Sequence, residues 1–304
     1  MPRPDNRPDN IQEYVVEAEQ ALLLQYISTA ILRDHTPTKL KSMLRHRQFA
    51  VNSVPTTRYD APLRRGDRVG INFDRSFAEF RHPRIELVYE DEHLLIINKG
   101  YGILSMGTDR VKEGTAYSIM REYVKANDPR AKVFIVHRLD RDTSGLMLLA
   151  KTEQAKETLQ HNWNNMVTER RYVAVVEGEI EPPAGVVQSY LAENSQYEVY
   201  STPDKNAGQL AITRYRTLRT SGKASLVELQ LDTGRKNQIR VHMKDLGHPI
   251  IGDRKYGGII SPIKRLALHA QTLCFRHPVT DEAMSFEAPI PSSFFALLGR
   301  PNRR

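Results

Sequence analysis

One cysteine, Cys274, is the whole thiol content of the chain. A disulfide framework within the chain is excluded, and so is a cysteine-rich zinc site. Flanked by Leu273 and Phe275, it reads as a buried, inert thiol in a strand. Long apolar runs are missing as well. Runs such as Leu94 to Ile97 and Leu146 to Ala150 fall far short of the roughly 20 residues that span a bilayer. The opening Met-Pro-Arg-Pro-Asp has no apolar core, so no secretory signal is expected. A cytoplasmic protein with no membrane partner is the simplest reading. Also absent are a glycine-rich phosphate loop, a His-Glu-x-x-His helix and a dinucleotide fingerprint. Chemistry here has to come from carboxylate, arginine, tyrosine and histidine side chains.

What is present in excess is positive charge. Forty-four Lys and Arg stand against 36 Asp and Glu, a net +8 over 304 residues. That length allows two domains, one with a sizeable core. The charge favours polyanions, chiefly phosphate backbones. It is unevenly placed: from Arg33 to Arg68 nine Lys/Arg face three Asp/Glu.

Periodicity divides the chain. Residues 1–17, rich in Pro, Asp, Asn and Arg, are expected to lack fixed structure. A helical pattern runs from Ala18 to Leu32, and Thr38 is placed to cap a second helix from Lys39. That helix turns Leu40, Met43 and Leu44 inward and Lys39, Lys41, Arg45 and Arg47 outward. Phe49 to Val51 reads as a strand, and Leu63 to Ile71 as a turn and strand. The unit at 18–75 is read as a small basic α/β domain, 76–84 as a linker, and 85–304 as the larger domain. In that domain strands are expected at 86–89, 94–97, 134–136, 146–150, 171–177, 212–218, 225–231 and 273–275, with helices at 115–126 and 151–163. The irregular mixture implies an α+β fold.

Three polar clusters sit among the apolar strands of the larger domain. They are His137-Arg138-Leu139-Asp140-Arg141-Asp142-Thr143-Ser144-Gly145, Glu169-Arg170-Arg171-Tyr172, and Thr233-Gly234-Arg235-Lys236-Asn237-Gln238-Ile239-Arg240-Val241-His242. Polar loops on a rigid sheet commonly carry catalytic groups. Taken singly, Asp140 also fits a turn cap, Arg240 a structural ion pair, and His137 a hydrogen-bonded loop residue.

Together the clusters resemble the motifs of the RluA family of pseudouridine synthases. His137 to Leu146 with Leu148-Leu149-Ala150-Lys151 resembles its signature, and Arg171 to Gly178 its tyrosine motif. Thr233-Gly234-Arg235 with Gln238 to His242 and Gly247 to Ile250 resembles the third motif, extended by Gly252-Asp253 and Tyr256-Gly257. Val88 to Lys99 and Leu268 to Pro278 complete a match from about 85 to 292. Gly100 stands where the family commonly has proline, and Asn237 where it has histidine. Residues 38–45, 51–52, 63 and 66–69 resemble the small RNA-binding domain named for ribosomal protein S-four.

The resemblance implies a mainly antiparallel catalytic sheet with flanking helices. It implies conversion of RNA uridines to pseudouridine, without a cofactor, by a monomer. Asp140 would be the nucleophile, Arg240 its partner, and Tyr172 the residue under the target base. Arg138 would fill the space of a flipped-out uridine, with Lys99, Arg141, Arg235 and Lys236 as further RNA contacts. Ribosomal RNA of the large subunit is the favoured substrate, with transfer RNA as the alternative. A non-catalytic ribosome-assembly factor, or a hydrolase pairing Asp140 with Asp142, would be the competing functions.

Overall fold

The computed structural model describes residues 10–52, 54–74, 77, 80–258 and 261–299. The N-terminal unit comprises β1 (Ile11–Val15), β2 (Gln20–Leu22), α1 (Leu23–Tyr26), α2 (Pro37–Arg45), β3 (Phe49–Val51), β4 (Val54–Thr56), β5 (Pro62–Arg64) and β6 (Arg68–Asn72). A single π-type turn, Ile27–Ile31, extends α1. Strands β1-β6-β3-β4 form one small sheet, and β2-β5 another. Leu23, Ile27, Leu40, Met43 and Leu44 bury the helical stripe against Phe49, Val69 and Ile71.

Three expectations for this unit are corrected. Residues 11–15 are ordered: β1 pairs with β6 from Ile11↔Asn72 to Val15↔Arg68, and Val16 is buried. The polar composition of residues 1–10 masked the apolar Ile11, Tyr14, Val15 and Val16 behind it; residues 1–9 lie outside the described residues. The first helix starts only at Leu23, because Ala21 is held opposite Leu63 in β2-β5. The cap of α2 is Thr36, whose hydroxyl accepts from Lys39 N at 3.3 Å. Pro37 takes the first helical position, where a missing N–H costs nothing.

Residues 76, 78 and 79 of the expected linker lie outside the described residues. Its described part is packed. Phe77 N donates to Arg47 O at 2.9 Å, and Phe80 meets Tyr123 edge-on at 5.2 Å.

The larger unit runs β7 (Ile85–Glu90), β8 (Leu94–Lys99), α3 (Ala116–Asn127), β9 (Phe134–Ile135), β10 (Ser144–Ala150), α4 (Glu153–His161), α5 (Trp163–Met166), β11 (Val167–Glu177), β12 (Ala184–Glu193), β13 (Val199–Thr202), β14 (Gln209–Thr220), β15 (Ala224–Leu231), α6 (Gln238–Asp245), β16 (Leu268–Arg276), β17 (Ala283–Glu287) and α7 (Ser292–Leu297). Its sheet has the order β13-β12-β14-β15-β11-β16-β10-β8-β7, with β17 beside β16 and β9 beside β10. Only β10 and β16 run parallel; the fold is α+β with a mainly antiparallel sheet. Among the described residues no helix is long and apolar enough to cross a membrane.

Strand β10 is buried on both faces. Met147 and Leu149 pack under α3 through Ala116, Met120 and Val124. Leu146, Leu148 and Ala150 pack under α4 through Ala155 and Leu159. The strand is therefore a rigid mount for the polar loop that precedes it. Cys274 does lie in a strand, but it is half-buried rather than enclosed. Its Sγ lies 3.2 Å from Ser285 Oγ, because the face alternation of β16 turns Leu273 and Phe275 to the core and Cys274 away.

Candidate active site

Hydrogen bonds hold the 137–143 loop on every side. His137 Nε2 accepts from Leu148 N at 2.9 Å, so its proton is on Nδ1. Burial drops its pKa to about 3, and the ring stays neutral and structural. Leu139 N donates to Ser105 Oγ at 3.0 Å, and Ser105 donates back to Leu139 O at 2.7 Å. At the loop's end Gly145 has φ +118°. A Cβ there would lie 2.1 Å from Ala270 O, so only glycine lets β10 approach β16.

Lys99 is expected at the RNA surface but is fully buried. Its Nζ donates to the carbonyls of Ile103 at 2.9 Å, Gly100 at 3.0 Å and Arg141 at 3.3 Å. It is a clamp behind the Asp140 loop, not an RNA contact. Burial lowers its pKa to about 8, against the opposing charges of Asp140 and Asp142.

On the cleft side stands Asp140, with 31% of its side chain exposed and Oδ2 at 3.4 Å from Arg240 Nη1. Arg240 projects from α6 and is held from behind. Its Nε and Nη2 reach Asp253 at 2.7 and 2.8 Å, and Asp253 has no exposed side-chain surface. Nη1 also reaches Asn237 Oδ1 at 3.1 Å. The Tyr256 ring lies 4.9 Å beneath the guanidinium. Burial works against the Arg240 charge, but the Asp253 bonds and the two carboxylate charges outweigh it, and its pKa is raised. The arginine is thus a fixed cation aimed at Asp140.

Asn237 begins α6 in the left-handed region, at φ 54°. Its Nδ2 donates to Tyr256 Oη at 2.9 Å, so this asparagine links Tyr256 to Arg240 without titrating. Next to it Gln238 is saturated. It accepts from Thr233 Oγ1 and Arg235 N and donates to Ile212 O and Thr213 Oγ1, all within 3.0 Å. This ties the third polar cluster to β14.

Tyr172 comes from mid-β11, opposite Leu229 and Ala270, beside a register shift at Arg171. Such irregularities re-aim side chains next to functional sites. The ring packs on both adjoining cores and lines the cleft. Burial raises its pKa, Arg170 opposes and Asp140 adds. The phenol therefore keeps its proton at neutral pH and can donate it.

The cleft has a volume of about 580 Å³, within the range of small-molecule sites. Asp140, Tyr172, Arg240, Arg138, Arg235 and Lys236 all line it. Arg138 is exposed at its mouth. Arg235 Nε donates to Leu210 O at 3.0 Å. Lys236 is already paired with Glu193. Arg141 is elsewhere, paired with Asp142 at 3.2 Å, and neither lines the cleft; a hydrolase pairing of Asp142 with Asp140 has no geometry here. Lys39, Lys41 and Arg45 are exposed along α2, far along the chain from the cleft. Arg47 departs from them. It is half-buried, sits past the helix end at φ 53°, and faces Tyr123 of the larger unit.

Sequence reasoning missed Asp253, Ser105, Trp163 and Arg170. For Arg170 a signal existed, since alternation along β11 puts it on the face of Tyr172 and turns Arg171 away. Arg171 indeed pairs with Glu169 and Glu228 instead. Among the described residues no three His, Cys, Asp or Glu side chains gather as a metal site.

Residues 93–245 match the family described as RNA pseudouridylate synthase. An uncharacterised RNA pseudouridine synthase of Bacillus subtilis, YhcT, is 34% identical over 258 residues, covering 83% of this chain and 85% of that protein. A ribosomal large subunit pseudouridine synthase D of Pseudomonas aeruginosa is 37% identical over 231 residues, covering 70% and 71%. The solved structure of human RNA pseudouridylate synthase domain containing 4 aligns with a TM-score of 0.58 at 25% identity, covering 69% of this chain and 90% of that one. The cleft built on Asp140, Tyr172 and Arg240 thus lies in a chain that belongs to the RNA pseudouridylate synthase family and isomerises uridine in RNA.

Proposed function

We propose that the chain modifies large-subunit ribosomal RNA and that Asp140 is its nucleophile, acting on a uridine turned out of its stack. One observation carries the reading. A single half-buried carboxylate lies at 3.4 Å from a guanidinium that a fully buried aspartate holds in place. Isomerisation breaks the bond from ribose carbon 1′ to uracil nitrogen 1, turns the ring, and joins carbon 1′ to carbon 5; carbon 5 gives up its proton to solvent and nitrogen 1 takes one up. The carboxylate holds a fragment by adding to the sugar or to the ring, and both additions need an ionised group beside a fixed cation. Tyr172 supplies a flat ring under the base and a proton. Arg138 at the cleft mouth occupies the gap left by the extruded nucleotide, whose unstacking costs a few kcal/mol.

The ribosomal target is supported by relatives named for the large subunit. We also take the basic N-terminal unit, which begins at β1, as a ribosomal-protein S-four type RNA-binding domain, which suits a large folded RNA. Incubating the protein with large-subunit ribosomal RNA and with transfer RNA, each tritiated at uridine carbon 5, tests this. Release is expected from the ribosomal RNA, at positions that lose pseudouridine in cells lacking the gene. Release confined to transfer RNA overturns the target.

The basic face of α2 is tested by salt dependence. Replacing Lys39, Lys41 and Arg45 by Gln should lower the slope of log affinity against log salt by up to about 2. Lys99→Met should leave that slope unchanged and instead destabilise the protein by about 2–3 kcal/mol, since three buried carbonyls lose a donor. A lowered slope in Lys99→Met would return that residue to the RNA surface.

A further inference from the structure

Among the described residues, no carboxylate lies within ion-pair distance of Arg170, although Asp232 acts on it from further off. Its guanidinium runs along the cleft wall, 5.7 Å from the Trp163 ring, and its side chain makes a long hydrogen bond, Nη2 to Leu231 O at 3.5 Å. Among the described residues no carboxylate pairs with it; nearby Asp232 is taken by Arg214 at 2.9 Å. The loop opposite makes room for it: a Cβ on Gly234 would lie 2.6 Å from Arg170 Nη1. Trp163 is itself fixed by the His137 ring at 5.1 Å. Burial lowers the Arg170 pKa, the mark of a charge poorly compensated by its surroundings.

A half-buried guanidinium with open donors, in a cleft that takes RNA, is placed to receive an anion. We propose that Arg170 binds the backbone phosphodiester of a nucleotide adjoining the target uridine, at a subsite walled by Trp163 and Gly234. A neutral uracil carbonyl would leave the buried charge uncompensated, whereas a phosphate neutralises it. The proposal rests on the reading of the Asp140 cleft as the uridine site.

Trp163, the only tryptophan in the chain, reports on the subsite directly. Pentauridylate is titrated at several salt concentrations and Trp163 fluorescence is followed. Arg170→Gln should bind about tenfold more weakly at low salt and lose about 0.7 from the salt slope, the share of one phosphate on a single strand. Arg170→Lys should keep the slope. Gly234→Ala should resemble Arg170→Gln, because its methyl displaces the guanidinium, and adding it to Arg170→Gln should cost nothing more. A wild-type slope in Arg170→Gln overturns the proposal. If that variant does not fold, neutral methylphosphonate linkages placed one at a time in pentauridylate decide with wild-type and Gly234→Ala protein. One linkage should cost wild-type binding about tenfold and Gly234→Ala binding far less; no such linkage overturns it. Tritium release by the wild-type protein and by Asp140→Asn reads the chemical step apart from binding, so a failure of the catalytic reading shows there and leaves the slopes of Arg170→Gln and Gly234→Ala unaltered.

Discussion

Asp140→Asn is expected to lose tritium release from uridine-labelled RNA by about ten-thousand-fold or more, the scale on which enzymes lose a nucleophile. It should melt within a degree or two of wild type. The two effects separate because Asp140 is a poor structural residue. Its carboxylate is 31% exposed and meets Arg240 at 3.4 Å, a contact worth at most about 1 kcal/mol. Arg240 keeps Asp253 and Asn237 without it. A ten-thousand-fold rate loss is about 5.5 kcal/mol of transition-state stabilisation, several times the most that folding can lose. Asparagine keeps the shape and the turn and removes only the charge. Activity within tenfold of wild type would remove Asp140 from the chemistry and leave the fold unaffected.

The sequence carries the loop that bears this aspartate because local patterning dictates it. Apolar β10 sets a polar loop against a rigid strand, and Gly145 marks the close backbone approach of β10 to β16. Tyr172 and Arg240 were legible only by resemblance. Nothing local brings Arg240 to a residue 100 positions away; that meeting is made by the β14-β15-β11-β16-β10 order, with α6 packed on β14 at one side and the Asp140 loop leading into β10 at the other. Lys99 was misread for the same kind of reason. A lysine after Ile96-Ile97-Asn98 looks like a strand end at the surface, and only the folded 99–103 turn together with Arg141 of the distant Asp140 loop supplies the three carbonyls that hold it inside. Strands β12, β13 and β17 escaped notice because their burial alternates weakly and they lie toward the sheet margins. In the sequence Asp253 is one half of a Gly-Asp pair, which is usually just a turn. Its complete burial is a property of the tertiary structure.

That burial makes Arg240→Ala a different experiment from Asp140→Asn, with losses of both kinds. Activity should fall by orders of magnitude, because Asp140 loses its fixed cation. Stability should fall too. Among the described residues, Asp253 would keep the backbone N–H groups of Lys255 and Tyr256, both at 3.1 Å, for a carboxylate with no solvent access. Stranding one partner of a buried pair costs about 3–5 kcal/mol, which for a chain of this size lowers Tm by roughly 10 °C. The Asp140 side of the arginine contributes little to that figure, being exposed and longer. Adding Asp253→Asn to Arg240→Ala removes the stranded charge and should return most of the lost Tm while activity stays absent. Arg240→Lys should fall between, keeping a charge but not the fork that engages both Asp253 oxygens. Thermal melts and tritium release on the same four proteins separate the two roles. If Arg240→Ala melts like wild type, Asp253 is not the anchor of the site. If the double variant regains activity with its Tm, the cation is not needed at Asp140 and the arginine serves only the fold.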